Sequence, residues 1–238
     1  KSEFVSTVSH ELRTPLTSIK GSLGLIRSGA VGALQDDAQS MLEIAYTNTD
    51  RLVLLINDLL DMEKINSGDM VFKTDSIDLT SLLNEAVEAN KGYAVEHNVT
   101  FICQDNEDGI QIEGDRHRLM QVLTNLMSNA AKFSRAGGRI EMSTMRDNDT
   151  VRVAVRDFGV GIPEEFQEHL FDKFTQADSS DTRQKGGTGL GLSISKAIIE
   201  KHNGAITFET ETGVGSTFTV ELPVLVKSDL APAENLRG

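Results

Sequence analysis

Disulfides, membrane-spanning segments and a secretion signal are all missing from this sequence. Its single cysteine, Cys103, cannot form an intramolecular disulfide, which fits a reducing, cytoplasmic setting. The apolar run at residues 99–103 predicts that the Cys103 thiol is buried. No apolar run approaches the roughly 20 residues of a transmembrane helix, and no signal peptide opens the chain. We therefore expect no membrane contact within this segment.

The chain also lacks any cluster of Lys and Arg, and its net charge is −13. Nucleic-acid phosphates attract such clusters, so the composition argues against a nucleic-acid partner. Apolar residues make up 39% of the 238 residues, which is enough for a folded core and for one or two domains. An acidic chain that binds an anionic ligand needs a cation such as Mg²⁺ to offset the repulsion. Because the first residue already lies in a helical pattern, we expect the segment to belong to a longer protein.

Two long helices are predicted at the start of the chain. The first spans about residues 2–28 and contains Pro15, which should bend it. A glycine-containing connection at 29–37 leads to a second helix at about 37–66. Apolar residues recur in steps of three and four, which is typical of one helix face and, in the second helix, of a coiled-coil seam. The seam residues are Val5, Val8, Leu12, Leu16, Ile19, Leu23 and Ile26, then Ala38, Met41, Ala45, Asn48, Leu52, Leu55, Leu59 and Met62. The polar Asn48 interrupts the second seam, at a cost in stability, and could fix its register.

These two helices predict an antiparallel hairpin that cannot bury both seams alone. Leu54, Ile56 and Leu60 widen the apolar face of the second helix further. Two hairpins from two chains bury such faces in a four-helix bundle, so we predict a homodimer with twofold symmetry. A monomeric hairpin packed on the second domain is the alternative. We assign residues 1–68 to this dimerisation domain.

Residues 69–224 mix helices and strands and predict a second domain. Asp78 and Asp115 are positioned to cap helices, and another helix is expected at 190–202. Strands are expected at 70–74, 99–103 and 110–113, with hairpins formed by 139–145 and 150–157 and by 204–211 and 216–222. This order indicates an α/β sandwich with a mixed sheet, so the chain as a whole is of the α+β class. Residues 225–238 are predicted to be a polar tail.

His10 lies off the apolar seam of the first helix, so its imidazole should be reachable from solvent. A reachable neutral imidazole is a nucleophile suited to accepting a phosphoryl group. The remaining histidines show no metal-ligand spacing and are expected at the surface or between domains: His97, His117, His169 and His202.

Asp157-Phe158-Gly159-Val160-Gly161 follows a predicted strand. Glycines at a strand exit let the backbone approach a ligand closely. An ionised aspartate only accepts hydrogen bonds, so it can receive the amino hydrogens of adenine. A plain turn is the alternative for this motif taken alone.

Gly187-Thr188-Gly189-Leu190-Gly191 opens directly into an apolar helix. Such a helix start presents free N–H groups and a positive dipole end to phosphate. The motif is neither a P-loop nor a dinucleotide fingerprint, because it lacks Gly-Lys-Ser/Thr and does not follow a strand. The polar residues 171–185 before it predict a mobile lid that begins at Phe171 and Phe174. Arg183 and Lys185 of this lid either reach phosphates or form a solvated pair.

Asn125, Asn129 and Lys132 are spaced to share one face of a predicted helix. An amide oxygen can ligate Mg²⁺, an amide NH₂ can donate to phosphate, and the lysine adds positive charge. A merely polar helix face is the alternative.

Together and in this order, these residues resemble the sensor histidine kinases of two-component signalling. The resemblance covers roughly residues 2–223 and rests on five motifs, at 10–16, 125–134, 157–161, 171–174 and 187–191. It implies a second domain that shares its fold with gyrase, chaperone and mismatch-repair ATPases. It also implies a sensor domain ahead of the first residue.

The resemblance implies roles for individual residues. His10 is the expected phosphoacceptor, Glu11 is expected to stabilise the imidazolium, and Thr14 to position a water that dephosphorylates the partner. A solvated charge for Glu11 and a backbone hydrogen bond for Thr14 are the alternatives. Asn129 is the expected Mg²⁺ ligand. The expected ATP-binding residues are Asn125, Asn129, Lys132, Phe133, Asp157, Gly159, Gly161, Phe174, Arg183, Lys185, Gly187, Thr188, Gly189, Leu190, Gly191 and Thr217.

The expected activity is therefore autophosphorylation of His10 by ATP, followed by transfer to an aspartate of a response-regulator receiver domain, with dephosphorylation of that partner as a second activity. Two alternatives stay open at this point. One is an ATP-driven clamp, which releases free phosphate and needs no reachable histidine. The other is a dimeric scaffold that binds nucleotide without transferring phosphate.

Overall fold

The structure, a computed structural model, describes residues 2–104, 109–175 and 188–225, with side chains from Leu12 onward. The chain divides into two compact units. One unit comprises residues 1–71 with 172–194, and the other comprises residues 72–171 with 195–238.

The first unit contains the predicted helical hairpin. Helix α1 spans Ser2–Arg27 with Pro15 inside it, and helix α2 spans Asp36–Ser67. The helix α2 ends where Gly68 adopts a left-handed conformation with φ of 77°, which glycine tolerates without a steric cost. The predicted hairpin is thus confirmed, and the bend at Pro15 stays a prediction.

Polar pairs between the two helices show that they run antiparallel. Three basic side chains of α1 meet α2 in reverse order: Arg13 donates to Asn57, Lys20 pairs with Asp50, and Arg27 pairs with Glu43. These pairs are exposed or half-buried, so each contributes little to stability. These pairs specify how the two helices align along each other and contribute little to the stability of the hairpin.

Much of the apolar surface of the hairpin remains exposed in the single chain. Leu42, Leu60 and Met62 are buried, but several seam positions and their neighbours are not: Leu12, Ile19, Leu25, Met41, Ile44, Leu52, Leu54 and Leu59. A contiguous apolar face of this kind usually marks an interface. This is the surface that the predicted four-helix bundle requires, and the dimer itself stays a prediction.

The second unit is built on a five-stranded mixed sheet with the strand order β2-β4-β5-β7-β6. Only β2 and β4 run parallel, and the other neighbours are antiparallel. A separate two-stranded sheet pairs β1 with β3. The strands are β1 Asp75–Asp78, β2 Thr100–Gln104, β3 Gln111–Gly114, β4 Arg139–Asp147, β5 Thr150–Asp157, β6 Ala205–Glu211 and β7 Gly215–Pro223. The predicted α/β domain with a mixed sheet is confirmed.

Helices supply the other part of this unit. They are α3 Leu79–Ala89, α4 Lys91–Glu96, α5 Arg116–Phe133, α6 Glu164–Gln167 and α7 Gly191–Lys201, the last of which begins in the segment 172–194. Both predicted caps are present, since the Asp78 carboxylate accepts a hydrogen bond from Ser81 N at 2.7 Å and the Asp115 carboxylate accepts one from Arg118 N at 3.1 Å. Each satisfies a backbone donor that a helix start leaves unpaired.

Alternate residues of the central strands form the core. In β5, every second side chain from Val151 to Asp157 is buried, and the residues between them are half-buried or exposed. The same alternation runs through β7 from Ser216 to Leu222. This two-residue period places one face of the sheet against the core and leaves the other partly solvated.

Three expectations about single segments were wrong. Residues 70–74 are not a strand, because Lys73 N donates to the Asp115 carboxylate at 2.8 Å instead of to a neighbouring strand. Cys103 is exposed, since β2 is an edge strand. His202 is buried: its Nε2 accepts a hydrogen bond from Asp115 N at 2.9 Å, and its ring lies edge-on to Phe72.

Among the described helices, none is long and apolar enough to cross a bilayer.

Candidate nucleotide-binding site

The predicted phosphoacceptor lies in α1, whose backbone is helical through His10 and Glu11. The side chains of these two residues lie outside the described part of the structure. Thr14, one turn further along, is exposed. The solvent access of the imidazole therefore stays a prediction from the seam of α1.

Asp157 ends β5 as a buried carboxylate, 5% exposed. One of its oxygens accepts a hydrogen bond from Gly159 N at 2.9 Å, and Ser216 N also donates to the carboxylate. Burial raises the pKa of Asp157, and the two backbone hydrogen bonds act against that increase. Two backbone donors use only part of the acceptor capacity of a carboxylate, so further acceptor sites remain for a ligand.

The glycines after Asp157 lie so close to neighbouring backbone that no side chain fits. A Cβ on Gly159 would lie 2.1 Å from the carbonyl oxygen of Phe133, the last residue of α5. A Cβ on Gly161, whose φ is 68°, would lie 2.2 Å from the carbonyl oxygen of Glu211. The turn is thus held against the end of α5 and the end of β6, which brings two of the predicted motifs together.

Ser216, rather than Thr217, shares a face of the sheet with Asp157. In the β5–β7 register Ser216 lies opposite Asp157, while Thr217 lies opposite Arg156. Because neighbouring residues of a strand point to opposite faces, the Thr217 side chain points away from the buried carboxylate. Ser216 is not among the residues predicted from the sequence. The alternation of β7 contains that information, but the register between the strands is needed to use it.

Asn125 and Asn129 form a connected pair on α5. Asn129 Nδ2 lies 3.4 Å from Asn125 Oδ1, and Asn125 Nδ2 donates to Ser195 Oγ of α7 at 3.0 Å. Lys132 follows on the same helix, with its Nζ 4.9 Å from the centre of the Phe133 ring. The structure therefore supports the shared helix face and adds Ser195 to it.

The described part of the glycine-rich motif begins at Thr188. Gly189 has a φ of 71°, and its carbonyl oxygen accepts a hydrogen bond from Phe174 N at 2.8 Å. Leu190 is buried, and Gly191 is the first residue of α7. Phe174 itself is largely exposed. Arg183, Lys185 and Gly187, together with most of the predicted lid, lie outside the described residues.

Thr188 makes a contact that the sequence analysis did not anticipate. Its hydroxyl donates to a carboxylate oxygen of Asp58 on α2 at 2.6 Å and accepts from Leu190 N at 3.1 Å. Burial raises the pKa of Asp58, the hydrogen bond from Thr188 lowers it, and the nearby charge of Asp61 raises it, with a net increase. In this conformation the Thr188 hydroxyl is thus engaged with the helical hairpin.

The residues present suit Mg²⁺ held together with a nucleotide. Among residues 2–104, 109–175 and 188–225, no group of three or more His, Cys, Asp or Glu side chains is arranged to hold a metal. Mg²⁺ typically keeps waters and takes only one or two protein oxygens, the rest coming from substrate phosphates. The Asn129 amide, half-buried on the α5 face, offers one such oxygen.

Comparisons with known protein families match both parts of the chain. Residues 1–68 match the family described as the His Kinase A (phospho-acceptor) domain. Residues 114–226 match the family described as Histidine kinase-, DNA gyrase B-, and HSP90-like ATPase.

Individual relatives give the same picture. The chain is 38% identical over 225 residues to the circadian input-output histidine kinase CikA of Synechococcus elongatus, covering 94% of this chain and 30% of CikA. It is 37% identical over 226 residues to the sensor histidine kinase WalK of Bacillus subtilis, covering 93% of this chain and 36% of WalK. The chain thus spans about a third of the length of these relatives.

Solved structures are similar as well. Full-length ShkA in complex with AMPPNP superposes with a TM-score of 0.76 at 29% identity, covering 95% of this chain and 46% of ShkA. A nucleotide-free catalytic domain of the histidine kinase ThkA matches with a TM-score of 0.55 at 33% identity, covering 65% of this chain and 96% of that domain.

Proposed function

Because the chain belongs to the sensor histidine kinases, with a phosphoacceptor domain and an ATPase domain, we propose that it phosphorylates His10 with ATP and passes the phosphoryl group to an aspartate of a response-regulator receiver domain. The observation that carries this proposal is the buried Asp157 carboxylate, held by backbone N–H groups beside the end of α5. Neither a helical scaffold nor a simple turn requires a buried carboxylate there, since its burial costs free energy.

In this proposal the Asp157 carboxylate accepts the amino hydrogens of adenine. Ser216 lies on the same face of the sheet, and the missing side chains of Gly159 and Gly161 leave the turn compact. Buried acceptors discriminate between bases because a mismatched ligand leaves them unpaired. The arrangement favours adenine over guanine, whose equivalent ring position carries an acceptor.

The phosphates are proposed to lie along the polar face of α5 and the start of α7. Asn129 would hold Mg²⁺, Asn125 and Lys132 would contact phosphate, and the backbone N–H groups of Thr188, Gly189 and Gly191 would bind phosphate oxygens. When bound, Mg²⁺ neutralises charge on the phosphates and favours the approach of a nucleophile. Arg183, Lys185, Gly187, Phe133 and Phe174 remain proposed contacts of the same site.

The proposed chemistry at His10 is a phosphoryl transfer to nitrogen. One ring nitrogen forms a bond to the γ-phosphorus, the bond from that phosphorus to the oxygen bridging to the β-phosphate breaks, and ADP leaves. The other ring nitrogen carries the proton of the imidazolium, which the Glu11 carboxylate stabilises. The phosphorus–nitrogen bond of the phosphoramidate then breaks as a carboxylate oxygen of the partner bonds to the phosphorus. Thr14 is proposed to position the water that hydrolyses the resulting aspartyl phosphate to free phosphate, which is the phosphatase activity.

We further propose that the hairpin dimerises through its exposed apolar face and works in the cytoplasm, where ATP is available.

The surviving alternative with a specific observation behind it is a clamp-type ATPase, because the matched ATPase family also includes gyrase and HSP90 relatives. A clamp releases free phosphate, whereas a kinase keeps the label on the protein.

The decisive experiment incubates the chain with Mg²⁺ and γ-labelled ATP. We expect an acid-labile, alkali-stable label on the protein that is absent from His10→Ala. His97→Ala, which changes a histidine of the second unit, is the matched control and should label normally. Label that persists in His10→Ala would refute the assignment, and label found only as free phosphate would favour the clamp.

The metal assignment has its own test. Asn129→Ala should abolish the Mg²⁺-dependent part of nucleotide binding measured by calorimetry, because it removes the proposed ligand oxygen. Binding that stays unchanged would remove Asn129 from the site.

A further inference from the structure

Ser195 is a buried hydroxyl that links two helices far apart in sequence. It lies on α7, is 2% exposed, and accepts the hydrogen bond from Asn125 Nδ2 at 3.0 Å. None of the sequence motifs described above assigns it a role. A buried polar group of this kind is retained in a core only when it is hydrogen-bonded.

The hydrogen bond to Ser195 fixes which end of the Asn125 amide faces the next residue of the α5 face, Asn129. A side-chain amide has one end that accepts and one end that donates hydrogen bonds. With its Nδ2 on Ser195, Asn125 turns its Oδ1 toward Asn129, whose Nδ2 lies 3.4 Å away. Asn129 thereby has its nitrogen on the side of Asn125 and its oxygen on the remaining side.

This orientation matters because only the oxygen end of an amide binds a cation. Within the described part of the chain, no group donates a hydrogen bond to Asn129 Oδ1. If the Asn129 amide were rotated by half a turn, its NH₂ group would face the metal position and repel the cation. The two ends of an amide are similar in size, so packing alone does not select between them, whereas a hydrogen-bond relay does.

We propose that Ser195 is a positioning residue that acts through Asn125 to keep the Asn129 oxygen directed at Mg²⁺. The inference rests on the proposed function, since it presumes that Asn129 holds the metal of a bound nucleotide. Ser195 itself would touch neither the metal nor the nucleotide. It couples α7, which begins at the glycine-rich motif, to the metal-binding face of α5.

The test compares nucleotide affinity with and without metal. We expect Ser195→Ala to weaken ATP binding in Mg²⁺ by roughly fivefold, the equivalent of one neutral hydrogen bond, and to leave binding in EDTA unchanged. Ser128→Ala is the matched control: it also removes a serine hydroxyl next to Asn125, but one that donates only to the Asn125 backbone oxygen, at 3.1 Å. Its Mg²⁺ dependence should equal that of the wild type.

Two further variants separate orientation from packing. Ser195→Thr keeps the hydroxyl and should restore the Mg²⁺ dependence. In an Asn125→Asp background, both ends of the side chain accept hydrogen bonds, so Asn129 Nδ2 finds an acceptor whether or not residue 195 has a hydroxyl. Ser195→Ala should therefore lose its effect on Mg²⁺ dependence in that background.

Several outcomes would overturn the inference. Equal losses in Mg²⁺ and in EDTA would make Ser195 a packing residue only. The same effect of Ser195→Ala in both backgrounds would exclude the relay. Metal-independent ATP binding by the wild type would also refute it, and the His10 labelling experiment would still decide the kinase activity separately.

Discussion

Replacing Asp157 by Asn changes one buried charge without changing the shape of the side chain. The carboxylate accepts hydrogen bonds from the backbone N–H groups of Gly159 and Ser216, and in the proposed complex it also accepts from adenine. An Asn side chain has a single acceptor oxygen. If that oxygen keeps the hydrogen bond from Gly159 N, the NH₂ group of the Asn faces other hydrogen-bond donors and cannot accept from them.

The expected loss of ATP affinity follows from this count of acceptors. A hydrogen bond to a charged group contributes about 1.5–3 kcal/mol. Because about 1.4 kcal/mol corresponds to a tenfold change, Asp157→Asn should weaken ATP binding by roughly 10- to 150-fold. The Asn NH₂ group suits the acceptor of guanine, so the preference for ATP over GTP should shrink.

The stability of the same variant should change with pH in a defined direction. Burial raises the pKa of Asp157 above its ordinary value of 3.8, so the folded state binds the proton more tightly than the unfolded state. The wild type therefore loses stability as the pH rises from below 3.8 through the folded-state pKa. Asn does not titrate, so the stability of the variant relative to the wild type should increase between pH 3 and pH 7.

Calorimetry with ATP and GTP and urea unfolding at both pH values measure these two effects. Asp149→Asn is the control, because it makes the same charge change at the exposed turn before β5 and should alter neither quantity. Unchanged ATP affinity in Asp157→Asn would refute its role as the adenine acceptor. A relative stability that does not rise between pH 3 and pH 7 would refute the argument from burial.

Three further outcomes test the packing of the chain. Gly159→Ala should lower the free energy of unfolding in urea by roughly 1–3 kcal/mol, because its Cβ would lie 2.1 Å from a carbonyl oxygen at the end of a helix. Gly92→Ala, in a helix with open space around it, should instead raise that free energy by about 0.5–1 kcal/mol. Equal effects of the two changes would contradict the close approach at Gly159. Asp58→Asn can still accept the hydrogen bond from Thr188. Because burial raises the pKa of Asp58, this variant should be more stable than the wild type at pH 7 and lose that advantage below pH 3.8. A stability difference that does not change with pH would argue against the burial of Asp58. Burial raises the pKa of Asp115, but backbone hydrogen bonds outweigh this and lower it overall. Thermal unfolding should therefore show Asp115→Ala less stable than the wild type near pH 7, by about 1 kcal/mol for the lost cap. The deficit should shrink as the pH falls from 3.8 through the lowered folded-state pKa, and a deficit that does not shrink would exclude the charged cap.

Local signals in the sequence were enough for the helices α1, α2, α3, α5 and α7, for the caps of α3 and α5, and for the order of the motifs. A cap acts within four residues, as Asp115 does on Arg118 N, and an apolar seam repeats within one helix. Such features depend on backbone geometry that is the same in every protein. The glycines at 159 and 161 belong to this group as well, since a turn that approaches other backbone closely requires them.

The partners of the functional side chains were decided by tertiary structure alone. Whether Ser216 or Thr217 faces Asp157 depends on the β5–β7 register, and the contact of Asn125 with Ser195 joins residues 70 positions apart. A periodic pattern specifies which face of an element is buried, but it does not specify what the neighbouring element places opposite. That choice is made by the packing of the whole core, where each contact depends on all the others.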